Sequence, residues 1–147
     1  MQTFLPYANF QQSAKTLDRA RLGKQRVETL QILNALQNRK DGVQKGWVNH
    51  PAVIMWEGAE LSLCEYGIAI CEEWVSRGYK DTCLGKIEEK AKKIGGGAWR
   101  NSITPPTWLG DESFHLSHRS KLYQKKPDHY SQWADVPVLD YLWKINE

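Results

Sequence analysis

The sequence predicts an all-α fold, on three observations. Apolar residues recur at helical spacing in four segments, each opened by a capping residue or a proline and closed by glycine, proline or a polar turn. No stretch alternates apolar and polar residues over a length useful for a β-strand. No internal repeat or composition break divides the 147 residues, a length that buries one core without staples. The expectation is a compact single domain over 1–147, a bundle of about four helices with an N-terminal arm and an aromatic-rich C-terminal tail.

Residues 1–10 are apolar and broken by Pro6, which favours an extended arm laid on the body. A first helix should begin between Ser13 and Asp18, either of which can cap it, and run to about Gln37. Its apolar arc is Leu22, Leu30, Ile32, Leu33 and Leu36. Residues 39–46 form a polar turn. A second helix should run from Pro51, favoured in a first turn, to Arg77, with Gly78 as a left-handed stop. It is apolar round most of its circumference, as a central core helix is. Asp81 or Thr82 should open a third helix, to Lys93, with a solvated outer face. After a loop holding Trp99, Pro105, Pro106 and Trp108, Asp111 caps a fourth, from Glu112 to about Lys126, ended by Pro127. The tail 128–147, with Tyr130, Trp133, Tyr141, Trp143 and two prolines, should lie over the helices without being helical.

Composition narrows the function classes. Hydrophobic residues make up 41% and charged residues 25%, ordinary for a water-soluble domain. The longest apolar segments are interrupted by Glu or Gly, so neither a membrane span nor a signal peptide is expected. Cys64, Cys71 and Cys83 are an odd number without metal-ligand spacing, which reads as buried free thiols in a reducing cytoplasm. His115 and His118 stand three apart on a helix, yet no acidic or cysteine partner completes a zinc motif, so no metal is expected. The glycines at 95–97 end a helix and lack the Lys-Ser/Thr of a phosphate loop. Net charge is only +3, so what matters is where the cations gather: near 15–26, 86–93 and 119–126. Seven tryptophans and six tyrosines suit a core and base-stacking surfaces alike.

The candidate chemistry sits on the first helix. Arg21, Lys24, Gln25 and Glu28 fall at i, i+3, i+4 and i+7 and share one face. They lie at the edge of the apolar arc, which puts them at a cleft rim where desolvation strengthens electrostatics. Arg19, Arg21, Lys24 and Arg26 suit a polyanion, and one carboxylate among them suits chemistry on it. The plainer reading of Glu28 is an i, i+4 ion pair with Lys24, worth about 0.2–0.5 kcal/mol. A second basic face carries His118, Arg119, Lys121, Lys125 and Lys126, with Lys121 and Lys125 on one side, a pattern that can track phosphates. A solvated helix face reads the same way. No lysine stands out as a buried nucleophile. The remaining amine is the α-amine, which titrates near ~7.7–8.0 and so is neutral more often than lysine. Gln2 is bulky, so Met1 is expected to be retained and to carry it.

These residues resemble the phage-type pyrimidine-dimer DNA glycosylase family. Arg21-Leu22-(x5)-Glu28 matches the family's His-Leu and, at the same spacing, its catalytic glutamate. Gly110-Asp111, Lys121-Leu122, Lys125, Pro127 and Tyr130 follow its C-terminal pattern. Thr3-Phe4-Leu5-Pro6, Leu22-Gly23-Lys24-Gln25-Arg26-Val27-Glu28, Asn49-His50-Pro51 and Trp108-Leu109-Gly110-Asp111 are similar to a bacterial and phage branch of it. The resemblance implies an all-α domain with the N-terminus inserted between helices. It also implies a cofactor-free glycosylase and AP lyase acting, as a monomer, on double-stranded DNA with a damaged or modified base. Met1 would supply the amine and Glu28 the carboxylate. Arg21, Lys24 and Arg26 would make local phosphate or base contacts and Lys121 and Lys125 would hold the backbone. Gln25, His118, Arg119 and Tyr130 complete the expected nucleic-acid surface. Characterised members place arginine directly after a small first residue, where this chain has Gln2 and Thr3. A non-catalytic nucleic-acid-binding domain, or an enzyme acting on nucleosides or nucleotides, are the alternative readings.

Overall fold

Four expected helices are six α-helices in the structure, a computed structural model that describes residues 1–145. The last two positions of the expected tail lie outside the described residues. There is no strand among those described. Both differences in helix count arise where one expected helix is broken in two. The first breaks at Leu17–Asp18, giving α1 (Phe10–Thr16) and α2 (Arg19–Lys40). Asn9 caps α1, its Oδ1 accepting from the Gln12 N–H at 2.8 Å. Ser13, one expected cap, lies inside α1 and exchanges hydrogen bonds with the Tyr7 backbone instead. Asp18 caps α2, and its own N–H donates to the Tyr130 hydroxyl at 2.9 Å. That long-range anchor fixes the extended link between the two helices.

The second expected helix divides into α3 (Pro51–Ile54) and α4 (Glu60–Ser76). Between them Gly58 takes φ +84°, a left-handed turn that ends the helical path. Trp56 holds this turn inward: it is fully buried, with its indole N–H donating to Thr3 Oγ1 at 3.1 Å. α4 stops before Gly78 as expected. α5 (Leu84–Gly95) starts later than expected, because Asp81 caps from outside it, accepting from the Leu84 N–H at 2.7 Å. α6 (Glu112–Lys125) is capped by Asp111. Among the described residues the tail carries only a short 3-10 turn, Ser131–Trp133, whose Trp133 stacks on Tyr130 at 5.2 Å.

α4 is the central helix and packs against α1, α2 and α5. Gly67 makes this closeness possible: a Cβ there would lie 2.5 Å from Thr29 Cγ2 and 2.9 Å from Ile87 Cδ1. Phe4 and Leu5 of the arm belong to the same core as Trp56, Tyr66 and Phe114. Full burial of a residue such as Leu5 contributes about 1.5–3 kcal/mol. The arm is therefore a core element, which places the chain's first residues against α2 and α6. All three cysteines are buried and free, and no described helix is long and apolar enough to cross a membrane.

Candidate active site

Side chains, not a sheet or a helix, satisfy the backbone of the N-terminal arm. The Gln2 N–H donates to Glu28 Oε2 at 3.2 Å and the Phe4 N–H to Gln25 Oε1 at 3.0 Å. The Leu5 N–H donates to His118 Nδ1 at 3.0 Å. On the acceptor side, the Gln2 carbonyl takes Gln25 Nε2 at 2.9 Å and the Leu5 carbonyl takes His115 Nδ1 at 2.8 Å. Arg119 donates to the Pro6 carbonyl at 2.6 Å. The Tyr66 hydroxyl sits 2.6 Å from Gln25 Oε1 and 2.9 Å from the Phe4 carbonyl, one proton facing two acceptors. Buried backbone groups need partners, and α2, α4 and α6 each supply one or more of them.

This docking puts Met1 and Glu28 on the wall of one cavity. The carboxylate is 6% exposed. Its Oε2 accepts from the Gln2 N–H and, at 2.9 Å, from Gln25 Nε2, while Oε1 faces the Lys24 ammonium at 3.7 Å. Beside it is a cavity of about 350 Å³ lined by Met1, Gln2, Phe4, Ala20, Arg21, Lys24, Glu28 and Lys125. Burial pushes the pKa of Lys125 down, and the like charges of Arg21, Lys121 and Lys24 push it further, against the opposing pull of Glu28. Lys125 Nζ also stands 5.8 Å from the Phe4 ring centre. A carboxylate, the chain's first residue and three cations thus share one cavity. It has the room and the charge for an anionic, sugar-sized fragment.

Other residues expected to touch nucleic acid lie elsewhere. Gln25 is buried, its amide used on the arm, Glu28 and the Tyr66 hydroxyl. His118 is buried beneath the arm; its Nδ1 accepts from Leu5, and burial, with His115 adding to it, depresses its pKa to about 3. Tyr130 is buried, its hydroxyl donating to Asp18 Oδ1 at 2.5 Å. Burial alone would raise the Asp18 pKa, but the Tyr130 hydroxyl and Arg21 hold it below the usual carboxylate range. All three are buried, where the expected surface had them facing nucleic acid. Arg26 is turned from the cavity, pairing with Asp81 at 2.6 Å and lying 4.4 Å from the Trp74 ring. Arg119 pairs with Glu112 as well as Pro6. Lys121, one turn before Lys125 on α6, pairs with Asp140 at 2.9 Å.

The structure also brings to the site residues to which the sequence reading gave no role there. His50 caps α3 through Nδ1, which accepts from the Ala52 N–H at 3.0 Å. Burial lowers its pKa, the N-terminal amine lowers it further and Glu28 raises it, so His50 stands within electrostatic reach of both site groups. The tail contributes Tyr141, whose ring centre lies 6.5 Å from Phe4 and whose buried hydroxyl is pushed up in pKa. A histidine directly before a helix-starting proline signals a cap, and nothing local tells where the ring's other edge faces.

A family model for pyrimidine dimer DNA glycosylase matches residues 1–86, more than half of the chain. The chain belongs to this family. No curated protein and no solved structure matches it. The glycosylase match takes in the arm, α1 to α4 and the first residues of α5, hence Met1, Gln25, Glu28 and His50. α6 lies beyond the matched span, so Lys125, His115 and His118 come from the part of the chain outside the family match, while Arg21 and Lys24 lie within it.

Proposed function

We propose that this protein is a DNA glycosylase with AP-lyase activity that acts on a damaged or modified base in duplex DNA. Its reaction runs through an N-terminal Schiff base and uses Glu28. One observation carries the reading: the docked arm sets the chain's first residues on a nearly buried glutamate, with the Gln2 N–H bonded to it at 3.2 Å, in a cavity rimmed by cations.

In this reading the neutral Met1 amine attacks C1′ of the deoxyribose. The C1′–N glycosidic bond breaks, and the base leaves with the bonding electrons and takes up a proton. Loss of one amine proton, and opening of the sugar ring as C1′–O4′ breaks and O4′ takes up a proton, give a protonated imine. Removal of a C2′ proton then expels the 3′ phosphate by cleavage of the C3′–O bond. Glu28 is suited to two tasks, stabilising positive charge that develops on the sugar and moving protons at C1′ and C2′. Lys125, Lys24 and Arg21 would hold flanking phosphates, with Lys121 further along α6. Packing of the arm into the core supports this reading, because it leaves little ordering of the first residues to be done at the moment of attack. No cofactor enters these steps, and the unit is read as one domain acting as a monomer.

Borohydride trapping on duplex DNA with an abasic site tests the reading. The wild type should form a covalent adduct. Glu28→Gln should lower the rate of strand cleavage by at least about a hundredfold, the scale of a lost general acid-base group. Acetylation of the α-amine should abolish the adduct. No adduct with duplex binding intact would assign the scaffold to nucleic-acid binding without catalysis. Full activity after acetylation would exclude Met1.

A further inference from the structure

We propose that the exposed indole of Trp47 is a stacking platform for a nucleobase displaced from the duplex when the target sugar enters the Glu28 cavity. The inference rests on the DNA reading above and adds a base-binding site to it. Trp47 is the exposed member among the seven tryptophans, at 61%. Tryptophan is usually well covered, and an indole left in water invites a planar partner.

Two features argue that this indole is held out for a ligand. The first is support. Arg39 on α2 pins the loop, donating to the Val48 carbonyl at 2.8 Å and to Asn49 Oδ1 at 3.2 Å, while Val48 is buried and the His50 N–H closes a turn on the Trp47 carbonyl at 3.0 Å. The exposed ring therefore stands on a fastened base. The second is continuity with the site. Aromatic rings run outward from the cavity wall: Phe4 to Tyr141 at 6.5 Å, Tyr141 to Trp143 at 5.7 Å, Trp143 to His50 at 5.9 Å and His50 to Trp47 at 5.8 Å. Lys121 and Lys125 flank the inner end of this row, 5.6 and 5.9 Å from the Tyr141 ring. Aromatic faces beside a cationic track are the chemistry that binds unstacked bases without regard to sequence. An apolar protein partner would gain nothing from that row of ammonium groups. Bringing C1′ into a cavity of this kind requires a nucleotide to leave the stack, so an unpaired base must be accommodated nearby.

Affinity for two duplexes decides it. One is fully paired; the other carries a tetrahydrofuran abasic analogue opposite adenine, which leaves a base without a partner and cannot form a Schiff base. Trp47→Ala should weaken binding of the analogue duplex about tenfold and leave the paired duplex within about twofold. Trp47→Phe should recover most of the loss. Equal thermal midpoints for the variants and the wild type keep the comparison on one fold. Equal loss on both duplexes, or no loss on either, overturns the platform, and the latter leaves the indole to a protein partner. If the wild type still forms its borohydride adduct in that case, the glycosylase reading stands without this site. A wild type that binds neither duplex removes both.

Discussion

Gln25 uses both ends of its amide at once, accepting from Phe4 and Tyr66 and donating to Gln2 and Glu28. It is thereby a positioning residue, since it sets the distance between the arm and the carboxylate without reaching the cavity. Gln25→Ala would strip partners from several buried groups at once, each worth about 1–3 kcal/mol when left unsatisfied. Chemical denaturation should show a loss of at least that size. The rate of adduct trapping should fall about tenfold or more, while duplex affinity changes less, because Lys24, Arg21 and Lys125 are untouched. A variant that lost affinity and kept its rate would show Gln25 to be a substrate contact after all. The reason it reads as a contact in the sequence is plain. A polar residue at the edge of an apolar helical arc has the same spacing whether it reaches out to a ligand or in to its own chain.

At the scale of elements, helices were legible and their interruptions were not. The 3.6-residue periodicity, Asp18, Asp111, Pro51 and Gly78 are local signals, and the structure follows each of them. The breaks at Leu17 and Gly58 depend on Tyr130 and Thr3, partners far along the chain, to which no window of neighbouring residues is sensitive. The candidate site divides the same way. The place of Glu28 at the edge of the apolar arc was legible from its neighbours on α2. The roles of His118, His115 and Tyr66 were not, because they arise only once the arm has threaded between α2, α4 and α6. Gly67 is a test of this packing. Its Cβ-less face admits Thr29 and Ile87 at distances no added methyl could share, and Gly67→Ala should destabilise the fold by about 1–3 kcal/mol through overpacking. Thermal or urea unfolding measures it, and an unchanged midpoint would mean that α2 and α5 can separate freely.

For the molecule as a whole, acid should loosen the fold before most carboxylates titrate. His118 stays neutral in the folded state down to about pH 3, and burial also lowers His115. Both return to an ordinary pKa near ~6.5 on unfolding. The unfolded chain therefore binds more protons below that pH, and stability should fall as pH drops from about 6.5, by up to ~1.4 kcal/mol per pH unit for each histidine. Asp18 and Asp81, both held low, extend the decline below about pH 4. Urea midpoints at pH 7, 6 and 5 should show the slope, and His118→Gln, which keeps an acceptor for Leu5, should flatten it by about one proton. An identical slope would put the titrating group elsewhere. The same histidines also set a timetable for biosynthesis. The arm leaves the ribosome first, yet the acceptor for its Leu5 N–H stands 113 positions later, on α6. Until that helix emerges, Leu5 and Pro6 lack their partners, and only the α2 and α4 side of the arm's seat exists. A nascent chain thus lacks the α6 side of this cavity until late in its synthesis, and the candidate site is complete only when the rest of the fold is there.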